Sequence, residues 1–275
     1  MTEQKYTDII ESFNKDGFAI IKGLFSVDEI NSLRRNVEKQ FEIDKAKGLT
    51  FSIPNSSASY IKGDLLSKEL LGSIILEDRI LNVAKALLGD KLVYFGDSSY
   101  QVGTGLRGFH RDNVDRVFNV GQDWEQDYSL IRMGLYLQDH KRYSGGLKVK
   151  KGSNKNKSGK SILLDIEEGD LVFWDLRALH SGNAVRLKIL PSLPVDYFEK
   201  KIPSFLKIDE KKIRMAFFFT FGLADKHLER YIKNYIFNTA NMLDSLKNSL
   251  ISQERFKEIE NKKLTIVKPI PEYGN

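Results

Sequence analysis

Two rhythms of apolar and polar residues divide the chain. Ile30, Leu33, Val37 and Phe41 recur at i, i+3, i+7 and i+11, the single stripe of an amphipathic helix. Ser26, with Glu29 three residues on, forms the capping-box pattern that starts such a helix. Upstream, Ile9, Ile10 and Phe13 predict another helix, and the DGFAIIKG segment predicts a turn and then a short strand over residues 18–21. Residues 46–63 are rich in Ser, Gly and Asn and read as a loop able to act as a lid, and residues 68–89 return to helical spacing and stop at Gly89. From Leu92 the rhythm changes. Short β-branched and aromatic runs (LVYFG, SSYQVG, SLIRMGLYLQD, GGLKVKKG, SILLDI, GDLVFWD, IRMAFFFTFG) are separated by turn residues. That predicts many short strands packed as a sandwich or barrel. After Asp225 helical spacing resumes over residues 227–252. Helices, then strands, then helix describe a β core with flanking helices and not a βαβ repeat. The expected organisation is one domain over residues 1–275: a helical part at 1–91, a β core at 92–224 and a helical extension at 225–275.

Composition narrows the chemistry. The 275 residues are 41% hydrophobic and 29% charged, ordinary for a globular protein long enough to bury a sizeable core. No stretch of about 18 apolar residues occurs, and MTEQKY at the start lacks the apolar centre of a signal peptide, so a cytoplasmic protein is expected and no membrane partner. Cysteine is absent, which excludes disulfides, thiol nucleophiles and iron–sulfur clusters. The net charge of +6 is read as a lysine-rich surface, because no nucleic-acid motif accompanies it. The tract at 148–160 (KVKKGSNKNKSGK) is read as a solvated loop.

Four histidines carry the remaining information. His110 lies in GFHRDN, two residues before Asp112, and residues i and i+2 of a strand share a face. His180 ends an apolar run in GDLVFWDLRALHSGN, where an adjacent strand could bring it beside His110. Two imidazoles and one carboxylate on one side of an octahedral ion leave positions open, as suits Fe(II), although Mn, Co or Ni accept the same donors. Taken alone, His110 and Asp112 read more readily as a turn histidine paired with its aspartate than as metal ligands. His140 and His227 sit in polar contexts (LQDHKRY, DKHLERY) and are expected at the surface.

Wider segments add to this. FNKDGFAIIKGLFSVDEINSLRR, ALLGDKLVYFGDSSYQV, GFHRD, GLYLQDH with YSGGLKVKKGSNK, and GDLVFWDLRALHSGN together resemble the phytanoyl-CoA dioxygenase-like branch of the Fe(II)/2-oxoglutarate oxygenases over most of residues 7–224. The resemblance implies a double-stranded β-helix (jelly roll, cupin-like), mainly β with flanking helices. It assigns iron to His110, Asp112 and His180, and makes 2-oxoglutarate and O2 co-substrates. It also implies an arginine that binds the distal carboxylate of 2-oxoglutarate, a role that suits a planar guanidinium fork. Arg214 and Arg186 are the candidates. Arg214 is preferred because it opens an apolar strand, whereas Arg186 falls in an expected loop; residues 187–212 then become an insertion between core strands. Relatives often place a serine two residues after the distal histidine. Here Ser181 follows His180 directly, which leaves that contact open, and Gln101 is a further candidate facing the pocket.

The reaction implied is decarboxylation of 2-oxoglutarate to succinate and CO2 coupled to hydroxylation of a substrate. The carboxylate at Asp112 argues against halogenation, since halogenases carry a small residue there. The expected substrate is a small metabolite or natural-product or sugar-type intermediate; an anionic group on it would meet some of Arg107, Arg111, Arg116, Arg132 and Lys148, each of which read singly is a solvated charge. The insertion at 187–212, the loop at 46–63 and residues 113–126 are expected to line or cover the pocket. Trp174 and Phe173 are expected in the core, and Gly145 and Gly146 at a turn. The alternatives are a jelly-roll binding protein without turnover, or a basic scaffold. Oligomeric state is not legible.

Overall fold

Strands buried on both faces lose the alternation of polar and apolar positions, and the central strands here do so. The computed structural model describes residues 3–52, 57–105, 108–125 and 127–267. Its strands are β1 (Phe18–Ile21), β2 (Thr50–Ser52), β3 (Ser59–Ile61), β4 (Leu92–Val102), β5 (Ile131–Tyr136), β6 (Gly146–Lys150), β7 (Ser161–Leu163), β8 (Leu171–Asp175), β9 (His180–Ala184), β10 (Arg186–Leu187), β11 (Lys207–Ile208), β12 (Met215–Leu223) and β13 (Thr265–Ile266). The main sheet runs β1-β8-β5-β12-β4-β3-β2, with β13 parallel to β4 and every other pair antiparallel. A smaller sheet, β7-β6-β9, completes the jelly roll. The main sheet thus draws β1, β2, β3 and β13 from outside the 92–224 stretch.

The helices are α1 (Glu3–Asp16), α2 (Val27–Ala46), α3 (Asp78–Leu88), α4 (Lys226–Tyr231), α5 (Ala240–Lys247) and α6 (Gln253–Asn261). The predicted capping box opens α2. The Ser26 hydroxyl accepts from the Glu29 amide at 3.3 Å, and the Glu29 carboxylate accepts from the Ser26 amide at 2.7 Å. Gly89 ends α3 at φ +89°. None of the described helices is long and apolar enough to cross a membrane.

Strand parity assigns the side chains. Leu171 and Phe173 of β8, Ile131, Met133 and Leu135 of β5, and Phe217 and Phe219 of β12 face the helical layer in one core. Their neighbours Val172, Trp174, Tyr136 and Ala216 face inward, against Leu147 and Val149 of β6. Both sets being buried, LVFWD and MAFFFTFG show no alternation in sequence.

Several surface expectations are overturned. In the lysine-rich tract, Lys148–Lys150 belong to β6, and Ser153 and Asn154 are buried. Lys148 alternates with Leu147 and Val149, so it points to the outer face of the small sheet, where the 187–212 segment covers it and pairs it with Glu199 at 2.8 Å. His140 is buried beneath Gly145 and Gly146; a Cβ on either glycine would come within 2.9 or 2.8 Å of it, and Gly145 also has φ +98°. His227 is buried because Asp225 caps α4 through the His227 and Leu228 amides, turning the imidazole inward onto the Tyr128 ring. Arg186 lies on β10, not in a loop. At the C-terminal end, β13 pairs with residues 93–94 of β4 and covers that sheet edge.

Candidate metal centre and co-substrate pocket

The H-x-D segment is pinned to the turn between β8 and β9 by backbone bonds. His110 and His180 exchange amide-to-carbonyl hydrogen bonds at 3.0 Å each way, and the Asp112 amide donates to the Leu176 carbonyl at 2.8 Å. The pairing brings residues 70 positions apart into register. One donor atom from each of His110, Asp112 and His180 lies within 4.8 Å of the others.

The tautomers are set by the backbone. Nδ1 of His110 lies 3.0 Å from the Gly108 carbonyl, and Nδ1 of His180 lies 3.0 Å from the Ala178 carbonyl. A carbonyl oxygen only accepts, so both Nδ1 atoms carry the proton and both Nε2 atoms present a lone pair. These Nε2 atoms stand 3.5 and 3.3 Å from the two Asp112 carboxylate oxygens. Adjacent donors about 2.1 Å from one octahedral ion are separated by about 3 Å, so the arrangement fits a first-row divalent metal with only slight contraction. Burial alone would raise the Asp112 carboxyl. The Arg132 guanidinium, 3.4 Å away, opposes this most strongly, and the group lies well below the usual carboxylate range. The donor set is therefore ionised and oriented for a cation, and its outer hydrogen bonds are of the kind that fix metal-binding histidines.

Ser99, Gln101, Arg132, Tyr136, Leu147, Trp174, Gly182 and Phe218 complete the wall of a small pocket of about 80 Å³ around the triad. Gly134, between Arg132 and Tyr136, makes room for it; a Cβ there would lie 3.1 Å from Trp174 and 3.3 Å from Phe218. Two buried donors in this wall, the Tyr136 hydroxyl and Trp174 Nε1, have no acceptor among the described residues, although the Tyr136 oxygen itself accepts from Arg214. Unsatisfied buried donors fit a ligand rich in acceptor oxygens.

Arg214 and Arg186 are both buried but differ in their partners. Arg186 is saturated: it donates to the carbonyls of His140, Leu164 and Pro191 and to the Asp165 carboxylate. Arg214 opens the inner end of β12, donates to the Gly145 carbonyl at 2.9 Å and to Gln101 Oε1 at 3.2 Å, and lies near the Tyr136 and Phe218 rings. No carboxylate of the described residues pairs with it. Gln101 thus lines the pocket and orients Arg214. Ser181 is buried on the opposite face from His180 and Gly182, which line the pocket.

The other expected cations also separate. Arg111 is buried and donates to the carbonyls of Arg177, Ser153, Asn156 and Lys157, a structural role. Arg132 is half-buried and paired with both Asp97 and Asp112, not solvated. Arg116 is exposed and stacks on Tyr235. Arg107 and Gln126 lie outside the described residues, as do residues 53–56 of the expected lid. Sequence reading missed Tyr136, Ser99 and Phe218 and took Trp174 only as core. The available signal was Arg132, a charge inside the apolar run SLIRMGLY, whose parity marks Gly134 and Tyr136 as inward-facing.

Comparisons with known proteins agree with this geometry. The ectoine dioxygenase of Bordetella bronchiseptica is 25% identical over 154 residues, 54% of this chain and 49% of that protein. The ectoine dioxygenase of Stutzerimonas stutzeri is 22% identical over 153 residues, 54% of this chain and 50% of that protein. The chain therefore spans about half the length of the curated relatives it matches. Among solved structures, SnoN, a non-heme alpha ketoglutarate dependent epimerase from nogalamycin biosynthesis, superposes with TM-score 0.60 at 12% identity, covering 81% of this chain and 82% of that one. HygX from Streptomyces hygroscopicus, with nickel and 2-oxoglutarate bound, superposes with TM-score 0.57 at 14% identity, covering 82% of this chain and 88% of that one. At these identities the likeness establishes the shared double-stranded β-helix. The sequence profile of the family described as Phytanoyl-CoA dioxygenase (PhyH) matches residues 13–186, most of the chain, and the chain belongs to that family.

Proposed function

We propose that this chain is an Fe(II)- and 2-oxoglutarate-dependent oxygenase that hydroxylates a small metabolite or natural-product or sugar-type intermediate with release of succinate and CO2. The observation that supports it most is the convergence of two Nε2 lone pairs and one ionised carboxylate beside a buried arginine that pairs with no carboxylate among the described residues. Bound iron would supply oxygen activation. His110, Asp112 and His180 would hold it, and Arg132 keeps Asp112 ionised as it does so. Arg214, oriented by Gln101 and the Gly145 carbonyl, pairs with the distal carboxylate of 2-oxoglutarate. Tyr136 and Trp174 donate to oxygens of the same molecule, which accounts for two donors that have no acceptor among the described residues. Arg186 holds the β10 end of the fold and Ser181 stays outside the pocket.

The substrate approaches between the loop after Asp112 and the turn that follows α4. That loop is clamped to α4 by Arg230, which pairs with Asp123 at 2.7 Å and Asp115 at 3.0 Å. On the other side, residues Ile232–Ile236 form a π-helical turn. Burial and then the charge of Asp112 raise the Tyr235 phenol, so Tyr235 lies within electrostatic reach of the triad. The exposed Arg116 stacked on Tyr235 supplies a cation for an anionic substrate. The chain folds as one oxygenase domain in this reading.

Anaerobic reconstitution with Fe(II) and 2-oxoglutarate tests the proposal. A weak visible charge-transfer band should appear with both present, and a metabolite screen should then find substrate-stimulated succinate release. A protein that takes up Fe(II) without forming the band on addition of 2-oxoglutarate refutes the co-substrate assignment.

A further inference from the structure

A second cavity, of about 200 Å³, lies between β4 and the C-terminal helices α5 and α6 and shares no lining residue with the triad pocket. Most of its wall is apolar: Leu246, Leu250, Ile251, Phe256 and Ile266. One charged side chain enters that wall. Asp64 is 4% exposed, and its Oδ2 stands 3.6 Å from the point a Cβ on Gly96 would occupy, at the cavity surface.

The carboxylate has hydrogen bonds but no cation. Oδ1 accepts from the Leu66 amide at 2.6 Å and lies 3.5 Å from the Tyr94 hydroxyl, which itself sits 2.6 Å from the Ser98 hydroxyl, and the Ser67 amide and Ser249 hydroxyl also hydrogen-bond the carboxylate. The Asp64 amide donates to Ser249 Oγ at 2.7 Å. Among the described residues no lysine, arginine or histidine pairs with Asp64; Lys68, four residues on, pairs with Asp44 at 3.0 Å instead. Burial accordingly pushes the Asp64 carboxyl up to about 6.

Capping the short turn at Leu65–Ser67 requires only an acceptor oxygen, which asparagine or serine supplies equally well. A carboxylate at this position adds a buried charge that hydrogen bonds offset only in part, and it has no counter-ion among the described residues. The cavity exceeds the roughly 150 Å³ that suffices to bind benzene in an engineered apolar site. Leu250, 85% exposed, borders the opening to solvent. We propose that this cavity is a second binding site, for a small amphiphilic amine whose ammonium meets the Asp64 carboxylate and whose hydrocarbon part packs on the apolar wall.

Benzylamine is a suitable probe, with benzyl alcohol as its uncharged counterpart, read by titration calorimetry on the full chain at about pH 7.5, where the amine is protonated. Wild type should bind benzylamine more tightly than benzyl alcohol. Asp64→Asn, which keeps the cap, should weaken benzylamine by about 10- to 100-fold, the worth of one charge-assisted hydrogen bond, and leave benzyl alcohol unchanged. Without ligand, Asp64→Asn should melt higher than wild type, because the unpaired charge is gone. Asp64→Ser serves the same comparison should the asparagine variant fail to fold. Equal binding of amine and alcohol, no binding of either up to about 5 mM, or a lower melting temperature for both variants would overturn the proposal.

Discussion

Truncating Arg214 to alanine removes a guanidinium that is 1% exposed and already oriented by two protein acceptors, the Gly145 carbonyl at 2.9 Å and Gln101 Oε1 at 3.2 Å. A carboxylate of 2-oxoglutarate at this end of the pocket would lose the guanidinium that pairs with no carboxylate among the described residues. Removing one partner of a buried, hydrogen-bonded ion pair costs about 2–5 kcal/mol. At about 1.4 kcal/mol per decade, the dissociation constant for 2-oxoglutarate should rise by about 30-fold to several thousand-fold. Arg214→Lys keeps the charge and loses the planar fork, so it should fall between the two. Anaerobic titration of the Fe(II)-loaded protein measures the constant directly, and the apparent KM for 2-oxoglutarate follows it in turnover. The metal content of the variant should match wild type, since Arg214 touches none of the three ligands. Unchanged 2-oxoglutarate affinity in Arg214→Ala, with a large loss in Arg186→Ala, would refute the assignment.

Other perturbations separate the remaining roles. Arg186→Ala should leave 2-oxoglutarate affinity within a few-fold of wild type while destabilising the chain by about 2–4 kcal/mol in denaturant melts, because several buried acceptors lose their donor. Asp112→Asn keeps the shape of the ligand and removes its charge; iron retention measured by metal analysis after desalting should fall more than about tenfold, since outer-shell partners alone are worth about 10- to 100-fold, and full retention would contradict the triad. His140 supplies a pH signature. Burial first, and then the charge of Arg214, lower it to about 3. Between there and its unfolded value only the unfolded chain takes up the proton, so its contribution is intact above about pH 6.5 and falls away as the pH drops towards 3. The stability difference between about pH 7 and pH 5 should shrink by about 2 kcal/mol in His140→Gln, and an unchanged slope would show that another group controls it.

The features legible from sequence are those settled within a few residues. Ser26 and Glu29 form their capping box because both partners sit in one turn. His110 and Asp112 share a face because strand parity is local, and Gly145 marks its turn because its φ is positive. The strand-rich middle and the flanking helices follow from apolar spacing alone. Tertiary structure decided which surfaces meet, and spacing is silent on that. The bridge between His110 and His180 depends on two segments 70 residues apart becoming neighbours. Lys148 and His140 looked solvated because their sequence neighbours are polar, yet the 187–212 segment covers one and a pair of glycines closes over the other. Trp174 and Tyr136 could not be told from ordinary core residues, since both faces of their sheet are buried and the pattern that separates inner from outer positions is lost. Arg214 and Arg186 likewise differ only in what they touch. One guanidinium is saturated by backbone carbonyls and an aspartate and the other pairs with no carboxylate among the described residues, a distinction created by packing.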